Sequence, residues 1–146
     1  MNEQLADQLS DPLSDELSLA VARVRDYLDR CEARELEAAQ AFLHHDAVLV
    51  FPGARRYRTV HEMVAQAPSR YRSVTKRFAT EDAWHRDGGE IGVVVTGVLD
   101  GVDVHGQAFG DVRFVDMFVL RDGLIVEQHV WNDLADLGHV PAPGGS

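Results

Sequence analysis

The segment Val112 to Asp133 constrains this chain more than any other. It reads as two long antiparallel strands joined at Arg121-Asp122-Gly123, a turn dipeptide between two apolar runs. Side chains alternate along a strand, so Val112, Phe114, Asp116 and Phe118 share one face and Val115, Met117 and Val119 the other. With both faces apolar, the first strand should be central rather than an edge. Apart from Arg113, Asp116 is the only ionisable residue between Val112 and Leu120. Burying a carboxylate costs several kcal/mol unless it is protonated or paired, so Asp116 marks a candidate site.

A chain of 146 residues, 45% hydrophobic, fits one domain with one core. The net charge of −10 repels nucleic acid and anionic membranes alike. No apolar run approaches the roughly 20 residues of a membrane span, and Met1-Asn2-Glu3-Gln4 lacks the character of a signal peptide, so a cytoplasmic protein is expected. Cys31 is the lone cysteine and no Cys/His cluster has zinc spacing, so neither a metal nor a redox cofactor is expected.

Residues 1–16 carry five acids and no base and read as a flexible acidic arm. From Leu17, the positions Ala20, Val21, Val24, Tyr27, Leu28 and Cys31 recur at three- and four-residue steps, which predicts an amphipathic helix capped by Ser14. A second helix is expected over Glu35 to His44, with Leu36, Ala39, Phe42 and Leu43 inward. A strand over Val48 to Phe51 stops at Pro52-Gly53, and Arg55 to Arg58 is a short strand or loop. Thr59 caps a third helix to about Ala67. Strands are expected over Val74 to Trp84 and Ile91 to Leu99, with turns at Asp87-Gly88-Gly89 and Asp100-Gly101-Val102-Asp103. Residues 138–146, with two prolines and two glycines among the last eight, read as a flexible tail.

Helices followed by antiparallel strands give an α+β layer fold. That order, Tyr27-Leu28, the run Asp46 to Gly53, and Arg113 to Val126 together resemble the nuclear transport factor 2-like superfamily, in its SnoaL-like and ketosteroid isomerase-like branch, over residues 17–137. The resemblance implies a cone-shaped barrel, a cystatin-like α+β roll in which N-terminal helices pack in a curved, mixed, mostly antiparallel sheet around an apolar pocket. It also implies a homodimer packed through the outer sheet face. Ketosteroid isomerases place a tyrosine on the first helix and a neutral aspartic acid on the penultimate strand as an oxyanion hole, an arrangement in which an apolar site keeps the acid protonated. By this resemblance Tyr27 matches the tyrosine and Asp116 the acid. The base does not carry over, because the matching position before Pro52 is Phe51.

On the last strand the resemblance puts Val126, Gln128, Val130 and Asn132 inside, leaving Ile125, Glu127, His129 and Trp131 outside. Asn132 either orients a carbonyl or water, or caps the segment Asp133 to Asp136. His85 and His105 fall near turns, where histidines are usually exposed. Phe42, Phe51, Phe114 and Phe118 would supply the apolar wall, with Tyr57 and Tyr71 at its entrance and Gln128 and Val130 inside. Arg55, Arg56, Arg58, Arg70, Arg72, Lys76 and Arg77 make up half of the 14 bases, either a solvated face or an attractor of anionic substrates at the pocket mouth.

The expected function is an isomerase, cyclase, dehydratase or hydrolase doing cofactor-independent acid/base chemistry on a small apolar carbonyl compound. Asp116 would be its acid or its single acid/base, Tyr27 an electrophilic hydrogen-bond donor to a developing oxyanion and Asn132 an orienter. The rival reading is a non-catalytic small-ligand-binding or dimer-scaffold protein, since a fold does not dictate a function.

Overall fold

The structure, a computed structural model, describes residues 12–140. A six-stranded sheet of order β2-β1-β6-β5-β4-β3 carries the chain. Its strands are β1 (Leu43–Phe51), β2 (Arg55–Tyr57), β3 (Ser73–His85), β4 (Ile91–Val102), β5 (Ala108–Arg121) and β6 (Leu124–Asn132). All pairs are antiparallel except β1 with β6, so the sheet is mixed. It stays open, with β2 and β3 as its edges, and the expected barrel is therefore a half-wrapped one. β5 lies between β4 and β6, the central position its two apolar faces require.

Helix α1 (Pro12–Glu32) lies against β3 and β4 through a stripe of Ala20, Val24, Tyr27, Leu28 and Cys31. The helix begins five residues before Leu17, and Ser14 lies inside it rather than capping it. Pro12 suits a first helical position, where its fixed φ fits and its missing N–H has no partner to lose. Tertiary contact holds this first turn, because His85 at the end of β3 approaches the Leu13 carbonyl at 3.3 Å. The acidic arm before Pro12 lies outside the described residues.

The second helix, α2, spans only Leu36–Gln40, and β1 starts at Leu43, well before the expected Val48. Pairing overrides local propensity here: Ile125 donates to the Phe42 carbonyl at 2.9 Å, and Leu43 aligns with Ile125. Helix α3 (Val60–Ala65) is capped by Thr59, whose hydroxyl accepts from Glu62 N, and a 3-10 turn at Ala67–Ser69 takes up Pro68. β4 runs through Val102, so its turn falls at Asp103 to Gly106 instead of Asp100 to Asp103. Asp103 organises that turn by accepting from the amides of His105 and Gln107.

On β6 the alternation slips once. Val119 pairs with Glu127 and Leu120 with Ile125, which leaves Val126 as a bulge. Ile125 therefore joins the core cluster and Val126 does not, the reverse of the expected facing. Beyond β6, His139 Nδ1 contacts Asp103 Oδ2 at 3.0 Å and Val140 is buried, so the tail is anchored at least to Val140. Residues 141–146 lie outside the described region. Among the described residues no helix is long and apolar enough to cross a membrane.

Candidate functional site

Asp116 aligns with Val95 of β4 and Val130 of β6, on the concave face beneath α1. Its exposure is 0%, and neither carboxyl oxygen has a hydrogen-bond partner. Lys76 Nζ stands 3.6 Å from Oδ2, within ion-pair range but beyond a good hydrogen bond. Burial holds the Asp116 pKa above the usual carboxylate range, while the Lys76 ammonium pulls it the other way. Lys76 also lies 4.9 Å from the centre of the Phe114 ring, so its charge is partly offset by a ring face.

Next to this pair, the Tyr27 hydroxyl donates to Gln128 Oε1 at 2.7 Å. Burial, followed by Cys31 and Asp116, raises the Tyr27 pKa well above that of an ordinary phenol. Burial likewise pushes the Cys31 thiol up to about 11. The Tyr27 ring meets those of Phe42 and Phe118 edge to face at 6.4 and 6.0 Å.

Above these groups lies a cavity of about 100 Å³ between the end of α1, β2, α3 and the inner sheet face. Of the residues expected to line a pocket, Phe51, Tyr57, Tyr71, Gln128, Val130 and Asn132 are in its wall. Phe42, Phe114 and Phe118 pack in or against the core below it. Tyr27 and Asp116 are not in the wall either; Asp116 stands behind it, and Lys76 bridges the two layers by touching the carboxyl while lining the cavity. Asn132 Oδ1 accepts from Leu134 N at 3.2 Å, so the side chain does cap the following turn, and the residue also lines the cavity.

Two residues of the basic cluster, Lys76 and Arg70, also stand in the wall. For Lys76 a signal existed: Val74, Lys76 and Phe78 share one strand face, which sets a lysine between two inward apolar residues. Arg70 follows Pro68 in a segment with no periodicity, and no local pattern marks it. His129 is on the outer face, stacked on Trp131 and 3.0 Å from Glu127. Among the described residues, the group able to converge on a metal is His44, His45 and Asp46, which are half-buried to exposed and contribute nothing to the cavity wall.

The open sheet folded over a long helix, with a cavity at its concave face, defines the nuclear transport factor 2-like class. The chain is similar to TerC co-crystallised with polyporic acid at 16% identity and a TM-score of 0.68, over 82% of this chain and 95% of that one. It is similar to a nuclear transport factor 2-like protein of unknown function from Burkholderia pseudomallei at 18% identity and a TM-score of 0.69, over 85% and 98% of the two chains. A protein from Jannaschia sp. assigned as a SnoaL-like polyketide cyclase aligns at 19% identity with a TM-score of 0.63, over 92% and 97%. Identities this low carry the fold alone. Residues 24–128 match the family model of the SnoaL-like domain, and the chain belongs to that family. No curated protein matches the sequence significantly.

Proposed function

We propose that this protein is a small-molecule enzyme of the cyclase or isomerase type, acting by general acid/base chemistry on an apolar carbonyl compound held in the cavity. The observation that carries this reading is Asp116: a buried carboxyl whose oxygens have no hydrogen-bond partner, set against a lysine that opens onto the cavity. A stabilising role would be better served by a satisfied group, and perturbed buried acids cluster at functional sites.

In this mechanism the substrate carbonyl lies near Lys76 Nζ and the Gln128 amide. Charge developing on its oxygen during enolisation is stabilised by the ammonium in a site of low dielectric. In the relay the Asp116 carboxylate takes a proton from the Lys76 ammonium, and the free amine so formed removes the substrate's α-proton and becomes the ammonium that faces the enolate. Asp116 returns its proton through Lys76 when the enolate is reprotonated. Tyr27 fixes the Gln128 amide and is therefore a positioning residue, while the Asn132 amide nitrogen orients the far end of the substrate. The SnoaL-like domain, in a fold whose structural neighbours include polyketide cyclase-like proteins, supports the cyclase or isomerase type.

The test is exchange of α-protons for deuterium in 1,3-dicarbonyl aromatic compounds, followed by NMR. Wild-type protein should accelerate exchange, and Asp116→Asn and Lys76→Met should each lower the rate about 10²- to 10⁴-fold. A rate indistinguishable from buffer, with the compounds nonetheless bound, would establish the rival reading of a non-catalytic binding protein. That rival draws on one observation, the position of Asp116 behind the wall instead of in it.

We also propose a homodimer through the outer sheet face. On that face Val94 aligns with Met117, Thr96 with Val115, and Val115 with Trp131, and Trp131 is 54% exposed. An apolar patch at the centre of a sheet is the kind of surface that a second copy covers.

A further inference from the structure

Arg70 follows the 3-10 turn, its amide donating to the Ala67 carbonyl at 2.9 Å. The residue is only 7% exposed, lines the cavity, and has its Nη2 buried without a hydrogen-bond partner. Among the described residues no carboxylate pairs with it; the charged and titratable groups that act on it are the like-charged Arg55 and the phenol hydroxyls of Tyr57 and Tyr71. Burial, and then Arg55, hold its pKa below the ordinary arginine value, but a guanidinium stays charged in any protein. Arg34, also in the wall, is different, since it donates to the Cys31 carbonyl at 2.9 Å and to the Tyr71 hydroxyl at 3.3 Å.

A buried cation without a counter-charge is costly, and folded proteins pair such groups. The partner of Arg70 is therefore to be sought in what enters the cavity. The planar guanidinium matches a carboxylate in a bidentate pair, a geometry that an ammonium does not offer. Phe51, Met63, Val64, Val74 and Leu99 supply apolar wall in the cavity that Arg70 and Lys76 both line.

We propose that Arg70 is a specificity-determining anion anchor, and that the ligand of this cavity is an apolar, ring-containing carboxylic acid whose carboxylate binds Arg70. This deepens the proposed function and rests on its premise that the cavity takes a small molecule. With the carboxylate fixed at Arg70, the remote end of the ligand is directed toward Lys76 and Gln128, and binding energy at one end orients the reacting carbonyl at the other.

The experiment compares 2-naphthoate with its neutral isostere 2-naphthamide by isothermal titration calorimetry at pH 7, using the full chain. Wild-type protein should bind the acid at least about tenfold more tightly than the amide. Arg70→Gln should abolish that preference while changing amide affinity less than about twofold, and Arg55→Gln should keep it. Thermal unfolding of Arg70→Met without ligand should occur at or above the wild-type temperature, because a lone buried cation has been replaced by an apolar side chain of similar length. Equal affinity for the two probes, binding of neither, a preference that survives Arg70→Gln, or an Arg70→Met protein that melts well below wild type would each overturn the proposal. Naphthoate binding through Arg70 without Asp116-dependent proton exchange would leave the anchor standing and remove the enzymatic reading alone. Proton exchange that depends on Asp116, but is indifferent to Arg70 with both acid and neutral substrates, would remove the anchor alone.

Discussion

Lys76 Nζ stands 3.6 Å from Asp116 Oδ2 and is the positive charge that acts on a fully buried carboxyl group whose oxygens have no hydrogen-bond partner. Desolvation favours the neutral acid and the ammonium favours the anion, and burial is the larger effect. The pair therefore ties the protonation state of the core to the cavity that Lys76 lines.

The raised Asp116 pKa has a definite consequence for stability. A carboxyl whose folded pKa exceeds its unfolded value of about 3.9 stabilises the fold fully below that value, and the contribution is lost as pH rises through the folded pKa. Thermal unfolding followed from pH 4 upward should show this decline in wild type and not in Asp116→Asn. Lys76→Met, which removes the charge opposing the shift, should leave the onset of the decline near the unfolded value and extend the decline to higher pH. Superimposable profiles for wild type and Asp116→Asn would contradict the assignment.

Tyr27→Phe deletes the hydroxyl that donates to Gln128 Oε1 at 2.7 Å while keeping the ring contacts to Phe42 and Phe118. The acceptor is left buried and unsatisfied, so urea denaturation should report a loss of about 1–3 kcal/mol. Adding Gln128→Leu removes the orphan as well, and the double variant should lose less than the sum of the single ones. Strict additivity would mean that the two groups are not coupled.

His139 and the amides of Gln107 and His105 hold the Asp103 carboxyl down to about 2. With its folded pKa depressed, Asp103 contributes stability that is present above the unfolded value of about 3.9 and lost as pH falls toward 2. In acid titrations followed by circular dichroism, His139→Ala should unfold at higher pH than wild type. Hydrogen exchange should show the Asp103 to Gln107 turn opening with it. An unchanged acid midpoint would count against the anchoring role.

Trp131 is the most exposed aromatic of the outer face. Trp131→Glu puts a charge into the apolar patch, and light scattering at tens of micromolar should change from dimer to monomer with the melting curve of the cavity side little altered. A wild-type protein that is already monomeric at that concentration would remove the homodimer proposal.

Much of the fold was legible in the residues because alternation and helical periodicity are local geometry. The stripe Ala20, Val24, Tyr27, Leu28 and Cys31 and the shared face of Phe114, Asp116 and Phe118 follow from periods of 3.6 and 2, whereas the inward facing of Gln128, Val130 and Asn132 followed from the family resemblance. These periods set which way a side chain points, and they made Asp116 conspicuous before any contact was known.

Only the tertiary structure decided what each side chain meets. The start of β1 at Leu43 depends on pairing with β6, and the bulge at Val126 reverses one step of alternation that no local pattern announces. The neighbour of Asp116 comes from β3, two strands away, and Arg70 counts as an unpaired cation only because, among the described residues, no carboxylate pairs with it, Glu32 in the same wall accepting instead from the Lys76 amide. Direction is a property of the backbone repeat and is written in the sequence. Charge compensation is a sum over non-local neighbours, and it exists only once the chain has closed around them.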